Sequence, residues 1–173
     1  MKLHAIPILL AVTAGLAANA VQAATTGILT FRGQINAGTC NLAVGDVNRT
    51  ITLPSVKVSD FASSPTLGTT QFNLTADCES DLRTVSFLFA GTPSTGNPTL
   101  FANTGTSAGA ALLVAHHGYA YIPANGTPAQ RTRQIATSGG KAVIGMSASY
   151  HATGAAITKG TFVSAMTVSI TYN

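Results

Sequence analysis

The sequence predicts an all-β domain built as a sandwich of two sheets. Several short stretches alternate apolar with polar side chains, as strands with one buried face do, and turn-forming residues separate them. Beyond the N-terminal segment, no stretch has the apolar periodicity of a helix of three turns. About seven strands at this spacing in 173 residues indicate a β-sandwich of immunoglobulin-like size.

Residues 1–23 predict a secretory signal peptide. An N-terminal lysine is followed by an apolar run over residues 6–18 and by Val21-Gln22-Ala23, a pattern typical of cleavage after Ala23, with Ala18-Asn19-Ala20 as the other candidate. The apolar run is shorter than the roughly 20 residues that a membrane-spanning helix needs. We therefore expect an exported chain with one domain.

The two cysteines, Cys40 and Cys78, predict one disulfide, because an exported chain seldom keeps two free thiols. They form no Cys-x-x-Cys motif, and no histidine lies near either of them at zinc-ligand spacing. The spacing therefore indicates neither a redox site nor a metal site.

The chain is poor in charge. Charged residues make up 8% of it, and the formal net charge is +4 without a basic cluster. Nucleic-acid binding usually needs a basic stripe, so no nucleic-acid partner is expected. A surface rich in Thr, Ser, Ala, Gly and Asn suits a protein packed among copies of itself better than a freely diffusing enzyme.

The internal stretches predict the remaining elements in chain order. Short strands alternate with turns over residues 40–53, and a helical turn is expected at 58–61. Turn residues fill 91–109, and Asn125-Gly126 is a hairpin signal. Longer alternating stretches predict strands at 70–78, 83–90, 110–116, 119–122 and 141–151. In the first two of these, the side chains expected to face the core are Phe72, Leu74, Ala76, Cys78, Val85, Phe87 and Phe89.

Two further strand-like stretches lie at the ends of the exported chain. The C-terminal one, Gly160 to Asn173, has an apolar face formed by Phe162, Met166, Val168, Ile170 and Tyr172. The N-terminal one has one face formed by Leu29, Phe31, Gly33 and Ile35. A long apolar edge promotes polymerisation unless something covers it. We expect the N-terminal stretch of a neighbouring molecule to cover the edge of the C-terminal strand.

Three motifs in this chain resemble those of pilins, the structural subunits of chaperone-usher fimbriae of the type 1 and P-pilus family. Residues 30–40, Thr-Phe-Arg-Gly-Gln-Ile-Asn-Ala-Gly-Thr-Cys, are similar to the donor-strand extension of that family. The spacing of the two cysteines is similar as well. The third motif is the penultimate Tyr172 with Gly160 fourteenth from the end.

The resemblance implies an incomplete immunoglobulin-like β-sandwich, the pilin fold, that lacks its last strand. It implies a signal peptide at 1–23, a donor-strand extension at 24–38 and a pilin domain at 39–173. Leu29, Phe31, Gly33 and Ile35 are then the donor strand. The acceptor groove and chaperone-binding strand contain Gly160, Phe162, Met166, Val168, Ile170, Tyr172 and Asn173.

The implied function is that of a structural subunit that polymerises by donor-strand exchange into an adhesive fibre. The implied partners are neighbouring pilin subunits of the same or another kind, a periplasmic chaperone and an outer-membrane usher. The chain would pass through the periplasm to a fimbrium on the cell surface. No cofactor, metal or catalytic residue is expected.

Other functions fit the sequence less well. A sugar-binding tip adhesin or another secreted β-sandwich binding module is the main alternative, but the chain has no tryptophan to stack on a sugar. Gly105-Thr-Ser-Ala-Gly109 fits a hydrolase pattern, yet every acidic residue precedes Ser107, so the usual Ser, acid, His order is absent. His116, His117 and His151 are expected to be surface residues, not metal ligands.

Overall fold

A computed structural model describes residues 28–117 and 120–173. The predicted signal peptide and the first residue of the strand predicted at 119–122 lie outside the described residues. Residues 36–173 form one compact unit, and residues 28–35 belong to a separate one.

The described residues form seven strands. They are β1 (Cys40–Leu42), β2 (Thr66–Cys78), β3 (Thr84–Gly91), β4 (Ala110–His116), β5 (Thr132–Ala136), β6 (Lys141–Ala152) and β7 (Met166–Tyr172). Within residues 28–117 and 120–173, the helical structure consists of two 3-10 turns, Val44–Asp46 and Val58–Ala62, and one short α-helix, α1 (Pro128–Arg131). The second 3-10 turn confirms the helical turn predicted at 58–61.

The strands form two antiparallel sheets, which confirms the predicted all-β class. One sheet has the order β1-β2-β6-β4, and the other has the order β5-β3-β7. Strand β7 therefore has one neighbour, β3, among the described residues, and it lies at a sheet edge. Strand β1, which is at the edge of the other sheet, also contacts β7.

The core lies between the sheets and follows the predicted alternation. In β3 the side chains of Val85, Phe87 and Phe89 are fully buried, while the residues between them are partly exposed. Opposite them, Ile144 and Met146 of β6 are fully buried as well. The inward-facing row predicted for β3 is thus confirmed. In β2, Leu74 and Ala76 are buried, and Phe72 and Cys78 are partly buried and pack against the core, as predicted.

The disulfide joins Cys40 and Cys78, as predicted. The two residues are direct partners in the ladder between β1 and β2, so the bond fixes the short strand β1 to the end of the long strand β2. Two acidic side chains hold the chain just before this point. The Gly38 amide donates to Asp81 Oδ2 at 2.8 Å, and the Thr39 amide donates to Glu79 Oε2 at 3.1 Å.

Three predicted elements differ in the structure. The C-terminal strand begins at Met166, not at Gly160, because residues 161 and 163 hydrogen-bond to a loop at 104–107. No strand forms at 120–122, where Tyr121 makes only an isolated bridge to Ala115. The hairpin signal at Asn125-Gly126 is followed by α1 and β5, which were not predicted. Helix α1 begins there because Thr127 and Gln130 form a capping box around Pro128.

Candidate functional site

An apolar groove of about 810 Å³ runs beside β7. One wall consists of residues 162–168, and the facing wall consists of residues 46–53. The floor is formed by side chains of β2, β4 and β6: Phe72, Leu74, Leu112, Val114, Ala148 and Tyr150. The groove therefore opens onto the interior of the sandwich between its two sheets.

The β7 wall combines an apolar face with an unpaired strand edge. Met166 and Val168 line the groove and pack against the core, while Thr167 between them is exposed. Because β3 pairs with only one side of β7, the other side presents backbone N–H and C=O groups that no described strand occupies. A strand lying there would form a ladder of hydrogen bonds with β7 and cover the apolar face formed by Met166 and Val168.

The facing wall was missed by the sequence reasoning. Ile51 and Leu53 are half-buried, while Thr50 and Thr52 are exposed, so this segment alternates like a strand although it belongs to neither sheet. Its alternation is present in the sequence, within the short strands and turns predicted over residues 40–53, but alternation alone does not show which segment borders a groove.

Asp46 and Arg49 hold this facing wall against β2. The Thr75 amide donates to Asp46 Oδ2 at 2.8 Å, and Arg49 donates to the Asn73 carbonyl at 2.8 Å and to Asp46 Oδ1 at 3.1 Å. Side chains therefore satisfy part of the β2 edge that a strand would otherwise pair with. This arrangement leaves the β7 edge as the open one beside the groove.

Phe162 lies at the N-terminal end of the groove wall, before β7 begins. Its ring meets that of Tyr150 edge to face, with ring centroids 4.9 Å apart. Burial raises the pKa of the Tyr150 phenol. The pair is an aromatic contact between the wall and the floor of the groove.

A polar clasp holds the segment that contains Phe162. Asn103 Oδ1 accepts hydrogen bonds from the amides of Gly105 at 2.8 Å and Val163 at 2.9 Å, and Asn103 Nδ2 donates to the Ser107 carbonyl at 2.7 Å. The Ser107 amide in turn donates to the Thr161 carbonyl at 3.0 Å. The part of the groove wall that precedes β7 is therefore fixed by a loop that is far from it in the sequence.

Gly160 is needed for this clasp. A Cβ at this position would lie against the Ser107 amide nitrogen and 2.7 Å from the carbonyl carbon of Thr106. These neighbours are backbone atoms and cannot move without moving the loop. Packing against this loop therefore requires glycine at position 160, and the sequence alone does not reveal that requirement.

The remaining predicted groove residues lie outside the groove lining. Ile170 packs against the core. Tyr172 is 39% exposed and, with Asn173, borders a separate shallow pocket of about 180 Å³. The Asn173 amide donates to the Thr84 carbonyl at 3.1 Å, which extends the pairing with β3 to the last residue.

The predicted donor residues are exposed. Leu29, Phe31 and Ile35 are 82% to 101% exposed, as is the preceding Ile28, and the space around Gly33 is open. A row of large apolar side chains in water is unfavourable, and such patches usually mark surfaces that bind another molecule. No strand forms over residues 28–39.

Ser107 and His151, which a hydrolase or a metal site would use, make hydrogen bonds with neighbouring residues. Ser107 Oγ donates to the Thr158 carbonyl at 2.8 Å, and Thr66 Oγ1 lies 2.7 Å from His151 Nδ1. Burial, the charge of Arg133 and then that of His117 lower the pKa of His116. Within 28–117 and 120–173, no three His, Cys, Asp or Glu side chains are grouped so that they could hold a metal ion. None of the helices among these residues has the length and the apolar character that spanning a bilayer requires.

A family model described as fimbrial protein matches residues 29–173. The chain belongs to the fimbrial protein family. No curated protein matches it in a sequence comparison. The match begins at Leu29, so it includes the exposed apolar row as well as the sandwich.

Solved pilus structures share the fold. The P pilus rod subunit PapA matches with a TM-score of 0.65 and 18% identity, over 78% of this chain and 99% of its own. A chaperone-usher pilus structure matches with a TM-score of 0.64 and 19% identity, over 86% of this chain and 96% of its own. An antigen and type I fimbria protein of Burkholderia pseudomallei matches with a TM-score of 0.56 and 21% identity, over 79% of this chain and all of its own. The family match confirms the prediction of a fimbrial subunit, and these structures confirm the predicted all-β pilin fold.

Proposed function

We propose that this fimbrial subunit polymerises by donating residues 29–35 of one copy to the groove beside β7 of the next. The observation that carries the proposal is the coexistence, in one chain, of an exposed apolar row and an apolar groove bordered by an unpaired strand edge. Each feature is unfavourable in water, and a strand from a second copy removes both. Donation from head to tail does not close on itself, so it produces a fibre.

The free energy gained by burying the donor side chains is large compared with the stability of a domain of this size. Burying the side chains of Leu29, Phe31 and Ile35 contributes about 1.5 to 3 kcal/mol each. Their sum approaches the net stability of a whole domain, which is about 5 to 15 kcal/mol. A single copy without a strand in its groove is therefore expected to be much less stable than an assembled one.

The proposal extends to how the chain reaches the fibre. Residues 1–23 direct export and are cleaved, residues 24–38 form the extension, and residues 39–173 form the domain that carries the groove. The same need for a strand in the groove supports a periplasmic chaperone that fills it temporarily and an outer-membrane usher where the exchange occurs. The function is structural and adhesive, without catalysis.

Self-complementation tests the proposal. Residues 28–37 are appended through a short linker after Asn173 of the processed chain (residues 24–173), so that one molecule carries a strand for its own groove. We expect a soluble monomer whose melting temperature exceeds that of the processed chain by about 10 °C or more, since the apolar row and the groove become buried together.

The matched control has the same appended segment with Phe31→Ser and Ile35→Ser. It keeps the length and the linker but removes two of the large side chains, so it should melt close to the processed chain. The proposal is wrong if the unmodified appended segment gives no more stability than this control.

Removing the extension tests the other half of the proposal. A chain that lacks residues 24–36 keeps the groove and should still bind a synthetic peptide of residues 28–37, but it should no longer join to other copies. Continued growth of fibres from this chain would show that another segment links the subunits.

A further inference from the structure

Two carboxylates hold the chain at the point where the N-terminal extension meets the domain. Asp81 Oδ2 accepts a hydrogen bond from the Gly38 amide at 2.8 Å, and Glu79 Oε2 accepts one from the Thr39 amide at 3.1 Å. The Glu79 amide in turn donates to the Thr39 carbonyl at 3.0 Å. The disulfide follows at the next residue. The chain is therefore fixed to the loop between β2 and β3 at consecutive positions.

Gly38 fits its place only because it has no side chain. It is buried, whereas its neighbours Ala37 and Thr39 are exposed. A Cβ at position 38 would overlap Asp81 Oδ1 and lie 2.7 Å from Glu79 Oε2. The φ of Gly38 is not positive, so its backbone conformation is open to other residues. The space that the two carboxylates occupy is therefore what requires glycine here.

The carboxylates remove the freedom that this glycine would otherwise have. Glycine has the least restricted backbone of all residues, so a glycine between an extension and a domain ordinarily lets the two rotate. Hydrogen bonds from amides to ionised carboxylates are stronger than those between neutral groups. We call Glu79, Asp81 and the amides of Gly38 and Thr39 the root clamp. It immobilises a position that would otherwise act as a hinge.

The connection between the root clamp and the donor segment is short. Only Asn36 and Ala37 separate Gly38 from Ile35, the last residue of that segment. Three steps along the chain span at most about 11 Å. When residues 29–35 of one copy lie in the groove of the next, the two domains are therefore held close together at this point. Rotation at Gly38 would change the angle between them.

We propose that Glu79 and Asp81 are positioning residues for the donated strand. By holding Gly38 and Thr39, they fix the angle at which one copy joins the next and make the joint stiff. The proposal rests on the proposed function, because it concerns the connection that donation creates. Without the root clamp the same strand is still donated, but the joint bends at Gly38.

A unit of two copies with a single joint tests this role. The donor is the self-complemented chain, whose groove is filled by its appended segment and whose N-terminal extension is free. The acceptor is the chain that lacks residues 24–36, which cannot donate. Each carries a spin label at Val143→Cys, on the exposed face of β6. Pulsed electron paramagnetic resonance then measures the distribution of distances between the two labels.

The unmodified donor should give a narrow distribution. Glu79→Ala combined with Asp81→Ala in the donor should broaden it about twofold, because Gly38 regains its rotation. The affinity for the acceptor should stay the same, since the donor segment is untouched. Asp77→Ala is the matched control. It removes an acidic side chain from the same end of the domain, but one that pairs with Lys141 and not with the extension, so the distribution should stay narrow.

The outcomes separate the two proposals. If the unmodified donor and acceptor do not join in size-exclusion chromatography, both proposals fail. If they join and the double variant gives a distribution as narrow as that of Asp77→Ala, the root clamp has no positioning role while the proposed function stands.

Gly38→Ala in the donor provides a second test, which stays informative even where the double variant does not fold. It keeps both carboxylates, but its Cβ takes the space of Asp81 Oδ1 and forces the root clamp open. The distance distribution should broaden as it does for the double variant. Gly45→Ala is the control, because nothing lies near its Cβ position. Equally narrow distributions for these two glycine variants would overturn the proposal.

Discussion

Replacing Gly160 by alanine tests whether the groove wall depends on its clasp to the loop at 103–108. The added Cβ meets the Ser107 amide and the Thr106 carbonyl carbon, which are both backbone atoms. Overpacking of this kind typically costs about 1 to 3 kcal/mol. Moving the loop also breaks the bond from the Ser107 amide to the Thr161 carbonyl, worth about 1 kcal/mol. We therefore expect a loss of about 2 to 4 kcal/mol in the free energy of unfolding.

Urea unfolding of the self-complemented chain measures this loss. With a slope of about 2 kcal/mol per molar urea, the midpoint should fall by about 1 to 2 M. Gly45→Ala is the matched control, because nothing lies near its Cβ position and its φ is not positive. There the alanine restricts the unfolded chain, so the midpoint should rise slightly. Equal midpoints for the two variants would refute the steric role assigned to Gly160.

Three further predictions concern the domain that carries the groove. Replacing Cys40 and Cys78 by alanine should lower the free energy of unfolding by about 4 kcal/mol, because the bond closes a loop with a sequence separation of 38. Asn103→Ala should cost about 2 to 3 kcal/mol through its lost hydrogen bonds, whereas Asn103→Asp, which keeps the acceptor, should cost less. The unmodified chain should lose stability as the pH falls below about 6.5, because the pKa of His116 is lowered on folding. His116→Asn should lose less stability over the same pH range.

Each of these has a clear contrary result. A reduced or alanine-substituted chain that unfolds at the same urea concentration as the oxidised one would contradict the disulfide estimate. Equal stability of the two Asn103 variants would mean that its acceptor oxygen does not hold the wall. For His116, the neutral form is favoured in the folded state, so stability is fully present above the unfolded pKa and falls on acidification. An unchanged pH dependence in His116→Asn would exclude that contribution.

The sequence predicted those parts of the fold that follow from local alternation. Strands β2, β3, β4 and β6 were found because their apolar and polar residues alternate without interruption. Strand β5 was missed because Thr132-Arg-Gln-Ile-Ala136 has one large apolar residue, and its strand form depends on pairing with β3. Local patterns do not reveal such pairing between distant segments.

The candidate site was predictable in part for the same reason. The alternation of the C-terminal stretch predicted that Phe162, Met166 and Val168 share one apolar face. The resemblance to pilins assigned that face to an acceptor groove, and all three residues line the groove. The start of β7 was placed too early because the segment before it is held by the loop at 103–108, far away in the chain. The facing wall depends on Asp46 and Arg49 reaching β2, which no local pattern indicates.

A density map of the assembled fibre at side-chain resolution shows directly what occupies each groove. We expect residues 29–35 of one copy to lie along β7 of the next, inside the groove. A fibre in which each groove is filled by its own chain, or in which the subunits meet elsewhere with the groove empty, would contradict it.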